Sequence, residues 1–292
     1  MSPIINVPDE YNKTPDPTQY GDTIQLPFTA PLISWRNGNV AYKPEDGALY
    51  YGGWECSADR LEIAYTQDGY QPLVAFGTAR SITSREGHVY QAYVARSLAV
   101  LPIATRRMWV VDEHKPGDKG RGWDQILVYL ADRTEKDKKS VLIPWGPAVL
   151  SAKGLSAKNL QDAFKVFAKE TAAARKEFAG NAKPWLFYHV LGTFANEPEI
   201  ERVGPKGQQS PITPCRCGLP VAAKINEAFL TFRYPGDEIL AICSDLRTQA
   251  QEWLSAWKSD RSTKPSDPTG LANDQEPEMP EEPPFDTDNL PF

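Results

Sequence analysis

Rings and cations alternate through residues 35–123. The rings are Trp35, Tyr42, Tyr50, Tyr51, Trp54, Tyr65, Tyr70, Phe76, Tyr90, Tyr93, Trp109 and Trp123; the bases among them include Arg36, Lys43, Arg60, Arg80, Arg85, Arg96, Arg106, Arg107, Lys115, Lys119 and Arg121. Such a mixture suits one chemistry above others: flat faces on which nucleobases stack, and cations that meet phosphates without reading sequence. The residues selected for it are Trp35, Arg36, Tyr50, Tyr51, Trp54, Arg80, Arg85, Tyr90, Tyr93, Arg96, Arg106, Arg107, Lys115, Lys119 and Arg121. Within Tyr50-Tyr51-Gly52-Gly53-Trp54 the adjacent tyrosines point to opposite faces of a strand, and the glycines let another backbone come close. Arg106-Arg107 and the Lys115–Arg121 loop are the phosphate candidates. Against this stands the ordinary use of Trp and Tyr as strand-core residues.

Those residues need strands to hold them. Alternation predicts strands at Leu61–Tyr65, Leu73–Phe76, Val89–Val94, Ile126–Leu130 and Val141–Trp145, with a longer apolar stretch, Leu98–Val111, broken at Pro102. Turn pairs such as Asp46-Gly47 and Asp68-Gly69 punctuate them. Ser156 is an N-cap for a helix reaching Ala179, and strand character returns at Trp185–Phe194 and Ala228–Tyr234. Asp237–Lys258 reads as a second amphipathic helix through Ile239, Cys243, Leu246, Ala250, Trp253 and Trp257. The expected fold class is β-rich α+β: an elaborated OB-fold-like barrel with two helices and a disordered acidic C-terminal tail. The domain reading is an irregular arm at 1–22, a binding domain at 23–260 and a tail at 261–292.

Other chemistries are poorly served. Cys215-Arg216-Cys217, with Cys56, Cys243, His88, His114 and His189, could supply a tetrahedral zinc site, but Cys-x-Cys lacks the paired Cys-x-x-Cys spacing. Cys243 also falls on an apolar helical stripe, where a thiol fits as a small hydrophobe. No phosphate loop, His-Glu-x-x-His or Gly-x-Ser-x-Gly motif occurs. No catalytic residue, metal or cofactor is therefore expected. No apolar run reaches membrane-spanning length and no export signal is evident, which predicts a cytoplasmic protein with no membrane partner.

The formal charge of −6 hides a division. From Pro265 onward the chain has eight acids and no base, leaving 30 acids against 32 bases in residues 1–264. Residues 23–264 alone hold 31 bases and 26 acids, a mildly basic body fit for a polyanion. The acidic stretch cannot bury enough apolar surface to offset its ordering entropy. It ends Asp286-Thr287-Asp288-Asn289-Leu290-Pro291-Phe292, charge followed by an apolar plug.

That ending resembles the C-terminal tip of bacterial and phage single-stranded DNA-binding proteins, which close in an acidic run, an aliphatic residue, Pro and Phe. The likeness is confined to these residues and the tail carrying them. Asn289 stands where an acid is usual, and Leu290 where Ile is usual. The resemblance implies a non-enzymatic protein that coats single-stranded DNA, in the host cytoplasm if phage-encoded. It also implies recruitment of replication, recombination or repair proteins through Asp286, Asp288, Leu290, Pro291 and Phe292. A homo-oligomer is left open. Two alternatives share the tail: a replisome interaction protein that does not bind DNA, and a nucleic-acid enzyme.

Overall fold

The computed structural model describes residues 26–38, 43–44, 52–58, 73–83, 89–110, 121–136, 139–179, 188–193, 200–207, 209–218 and 227–260. The arm, the tail and the Leu61–Tyr65 strand lie outside them.

Three long strands form the centre: β6 (Ser97–Val110), β7 (Arg121–Lys136) and β8 (Lys139–Lys153). They run antiparallel, β6 against β7 and β7 against β8. After helix α1 (Leu155–Ala179), strand β9 (His189–Gly192) returns to pair antiparallel with β6. The spatial order β9-β6-β7-β8 is that of a Greek key. On the other flank β1 (Leu32–Asn37) lies parallel to β8, and β3 (Gly52–Ser57), β5 (Val89–Ala95), β4 (Arg80–Thr83) and β2 (Lys43–Pro44) continue the sheet. Strand β12 (Arg216–Cys217) extends it beyond β9, giving, among the described residues, ten strands in one mixed sheet. β10 (Glu201–Val203) and β11 (Ser210–Ile212) pair separately. Helices α2 (Glu227–Arg233), α3 (Asp237–Gln249) and α4 (Gln251–Asp260) follow.

The fold is thus β-rich α+β, as expected. The ladder runs linearly from β12 to β2, and among the described residues no ladder joins its ends. Side chains span part of the gap. Trp35 Nε1 donates to the Thr213 carbonyl at 2.9 Å, Thr213 N to Asn37 Oδ1 at 2.9 Å, and Trp54 Nε1 to the Leu191 carbonyl at 3.0 Å.

Two apolar cores occupy the two faces of the sheet. The inner one gathers Ile33, Trp35, Trp54, Tyr93, Leu98, Val100, Ile126, Val128, Leu130 and Leu150, closed off by Leu160 and Ala163 of α1. Outside, Leu101, Ala104, Leu127 and Val149 pack under Cys243, Ala250 and Trp253 of the C-terminal segment. Gly53 allows this inner packing: with φ at 142°, any Cβ there would run into the Ala95 carbonyl.

Several sequence expectations need correction. Leu98–Val111 is not broken at Pro102; the strand continues, with a register shift between Pro102 and Ala104. Pro102 has no N–H to give the ladder, and a bulge absorbs it. Leu73–Phe76 is a turn, Phe76 N donating to the Leu73 carbonyl at 2.9 Å, with Leu73 and Phe76 buried and Val74 exposed between them. Ala228–Tyr234 is mostly helical, within α2. Ser156 is not the cap: α1 starts at Leu155 behind Gly154, whose φ is 54° and whose carbonyl accepts from Ala157 N and Lys158 N. The second helix is divided at Ala250. Among the described residues there are four helices where two were expected.

Candidate nucleic-acid interface

Alternation decides which of the selected residues can meet a ligand, because ladder partners share a face and neighbours along a strand do not. Trp35, Trp54 and Tyr93 take the inner face and are buried. Trp35 meets Trp54 edge-on at 4.9 Å between centroids, and Tyr93 meets Phe76. Their ring faces are spent in the core, so these three leave the set of stacking candidates.

The outer face has a different composition beyond the cover of α3 and α4. Arg106 pairs with Gln125, Gln125 with Ser151, Ser151 with Ser34, and Ser34 with Glu55. One row further, Trp123 pairs with Lys153, and Arg36 lies two residues beyond Ser34 on the same side. Glu55 pairs with Val94, which shares its face with Tyr90 and Ala92, and Ala92 pairs with Arg80. Four predicted residues, Arg36, Arg80, Tyr90 and Arg106, therefore sit on one face with Trp123 and Lys153, which were not selected.

Each is held by local contacts. The Lys153 ammonium lies 5.3 Å from the Trp123 ring centroid. Trp123 is half-buried, and its indole N–H has no hydrogen-bond partner among the described residues. Arg106 donates to Gln125 Oε1 at 2.8 Å and to the Trp253 carbonyl at 3.1 Å, with its guanidinium 3.9 Å from the Trp253 ring centroid. Burial lowers its pKa to about 10, leaving it charged at neutral pH. Tyr90 donates its hydroxyl to Glu55 Oε1 at 2.9 Å, and Arg36 Nε lies 3.5 Å from the same oxygen. Burial raises the Glu55 pKa, against the opposing pull of Arg36 and Tyr90.

Arg107 goes elsewhere. It shares the inner side with Asp124 at the α1 end, giving a two-point contact at 2.7 and 3.3 Å, while Gln161 of α1 donates to Asp124 at 2.6 Å. That makes it a brace between β6, β7 and α1 rather than part of the outer face. Arg96 is exposed at the corner between β5 and β6, and Arg80 is exposed on β4. Tyr50, Tyr51, Arg85, Lys115 and Lys119 lie outside the described residues, as do Asp286, Asp288, Leu290, Pro291 and Phe292. Arg121 begins β7, but its side chain is outside them too.

Trp123 and Lys153 were missed because they are distant in sequence and meet only through hairpin register. The cysteines do not assemble a metal site: among the described residues no group of three or more His, Cys, Asp or Glu side chains could hold an ion. Cys215 and Cys243 are buried in the two cores. Among the described residues no helix is long and apolar enough to cross a membrane.

No family model, curated protein or solved structure matches this chain.

Proposed function

We propose that this chain is a non-catalytic single-stranded DNA-binding protein, working in the cytoplasm, whose outer sheet face holds the strand and whose acidic tip recruits replication, recombination or repair proteins. The observation that carries the binding half is the grouping of Trp123, Lys153, Arg36 and Arg106 on one partly open sheet face. A ring with cations around it, on a rigid sheet, is what base stacking and phosphate neutralisation need. The unpartnered Trp123 N–H adds to this. A buried donor without an acceptor costs about 1–3 kcal/mol, which a ligand oxygen would recover.

An OB-like barrel is the finer reading of the fold. It is supported by the Greek-key order β9-β6-β7-β8, by the helix between β8 and β9, and by the Trp35, Thr213 and Trp54 hydrogen bonds across the gap. In such barrels the face of the second and third strands binds oligonucleotides. Here that face belongs to β7 and β8, which carry Trp123 and Lys153. The recruitment half rests on Asp286, Asp288 and the Leu290-Pro291-Phe292 plug, a segment suited to a pocket with a basic rim.

The test is a tryptophan-fluorescence titration with oligo(dT) and with a duplex of equal length, at two salt concentrations about tenfold apart. Quenching by the single strand that weakens with salt is expected. A chain that ignores both ligands in dilute buffer would end this reading.

A further inference from the structure

Glu55 is an unexpected residue on a surface for a polyanion. It lies in the middle of the outer face, in register with Ser34 on one side and Val94 on the other, and its side chain is only 5% exposed. Its two oxygens are treated unequally. Oε1 takes the Tyr90 hydroxyl and the approach of Arg36, while Oε2 is buried with no hydrogen-bond partner among the described residues. A carboxylate oxygen removed from water and left without a donor is costly, and burial has raised this acid's pKa accordingly. A hydrophobic residue would fill the same place on a β-strand without that cost.

The cover over Glu55 is itself suited to exchange. Arg36 is about one-third exposed, and its 3.5 Å approach to Oε1 is longer than a charge-assisted hydrogen bond. A phosphate passing along the face offers Arg36 a second anion, and an arm turning toward it uncovers the carboxylate. What then reaches Glu55 must donate a hydrogen bond. Cytosine, adenine and guanine each present an exocyclic amine. Thymine presents carbonyl oxygens on both sides of its single N–H, which a carboxylate repels.

Resting on the single-strand reading above, we infer that Glu55 is a base-selecting residue, accepting the exocyclic amine of one bound base and disfavouring thymine at that position. From Trp123 to the Glu55 strand is three strand spacings, about 14 Å. Selection would therefore act on a different nucleotide from the one stacked on Trp123, and it would superimpose a modest preference on otherwise indifferent binding.

The experiment compares two oligonucleotides of equal length, one of thymine and one of 5-methylcytosine, which differ at the base edge and not in the methyl group. The full chain is expected to bind the 5-methylcytosine strand about five- to tenfold more tightly. Glu55→Ala should bring the two affinities together, with the thymine strand bound at least as well as by the parent chain. Equal affinities in the parent chain overturn the inference while leaving the single-strand reading intact. So does a preference that survives Glu55→Ala in a variant whose melting temperature shows it folded. Should that variant not fold, Tyr90→Phe replaces it. Freeing Oε1 is expected to keep or widen the preference, and a lost preference counts against Glu55. Failure of the parent chain to bind either strand removes the underlying reading instead.

Discussion

The adjacent arginines Arg106 and Arg107 give the sharpest test of the interface, because the sheet separates them. Arg107 is fixed to Asp124, a buried acid that also accepts from Gln161. Removing it by Arg107→Ala leaves that carboxylate short of a partner. With the Arg107 side chain about half exposed (47%), water can compensate in part, so a loss of about 1–3 kcal/mol is expected rather than the larger cost of a fully buried pair. DNA affinity and its salt dependence should not change. Lys153→Ala should do the reverse. Its ammonium lies 5.3 Å from the Trp123 ring centroid on the outer face. Each phosphate neutralised on a single strand contributes about 0.7 to the slope of log affinity against log salt, so three contacts from Arg36, Arg106 and Lys153 give a slope near −2. Losing Lys153 should bring it to about −1.4, and across a tenfold change in salt the affinity should then fall about fivefold less. Urea melts measure the first quantity and titrations over a salt series the second. If Arg107→Ala flattens the slope, or Lys153→Ala leaves it unchanged, the assignment of faces is refuted.

Three further outcomes follow from the same geometry. Trp123→Phe should remove most of the quenching caused by DNA, since Trp35 and Trp54 are sealed in the core; quenching at the parent level would place the contact on another tryptophan. Trp54→Ala should cost about 3–5 kcal/mol in urea unfolding, as the loss of a wholly buried ring with a hydrogen bond to Leu191. Glu55→Gln should change the pH dependence of stability. The folded pKa of Glu55 is raised, so the native state favours the protonated form, and stability is lost as pH climbs from the ordinary carboxylate value through the folded one. The amide does not titrate, so the variant's melting temperature relative to the parent should rise across that window and fall back in acid; a constant offset would contradict the raised pKa.

How much of this was legible in the sequence varied with the range of the interaction. In β5 alternation alone separated Tyr93 and Ala95 from Tyr90 and Val94, but which side turns inward, the Tyr93 side, came only from the packing. The long amphipathic helix and the apolar stripe through Cys243 and Trp253 were also readable, because helical periodicity is local. Leu73–Phe76 misled because four consecutive apolar residues, Leu73-Val74-Ala75-Phe76, read like a short buried strand. Ala228–Tyr234 misled because Phe229, Leu230 and Phe232 have strand propensity, which the surrounding structure overrode. The burial of Trp35 and Trp54 was hidden for another reason. Their N–H groups find partners at Thr213 and Leu191, far away in the chain, and no short window includes those carbonyls.

The site itself depends on two single-residue irregularities. In β6, Leu98 and Val100 face the inner core, and strict alternation would carry Arg106 inward with them. The register shift between Pro102 and Ala104 inserts Ile103, so Arg106 turns outward beside Gln125 and Arg107 turns inward to Asp124. In the β7–β8 hairpin, counting back from the Lys136–Lys139 pair would set Trp123 opposite Ala152, an inner-core residue. The shift beyond Leu130 places an extra residue, Trp145, on β8, and Trp123 meets Lys153 on the outer face instead. Neither insertion has a sequence signature as strong as a turn or a cap, yet each inverts every side chain beyond it. The cation and the ring that the binding reading needs are on the same side of the sheet because both strands slip by one residue. The pairs flanking Trp145 are Ala131 with Pro144 and Leu130 with Gly146, so deleting Trp145 should close the bulge and keep Trp123 opposite Lys153 on the outer face; a folded deletion variant that has lost its quenching by single-stranded DNA would contradict this register.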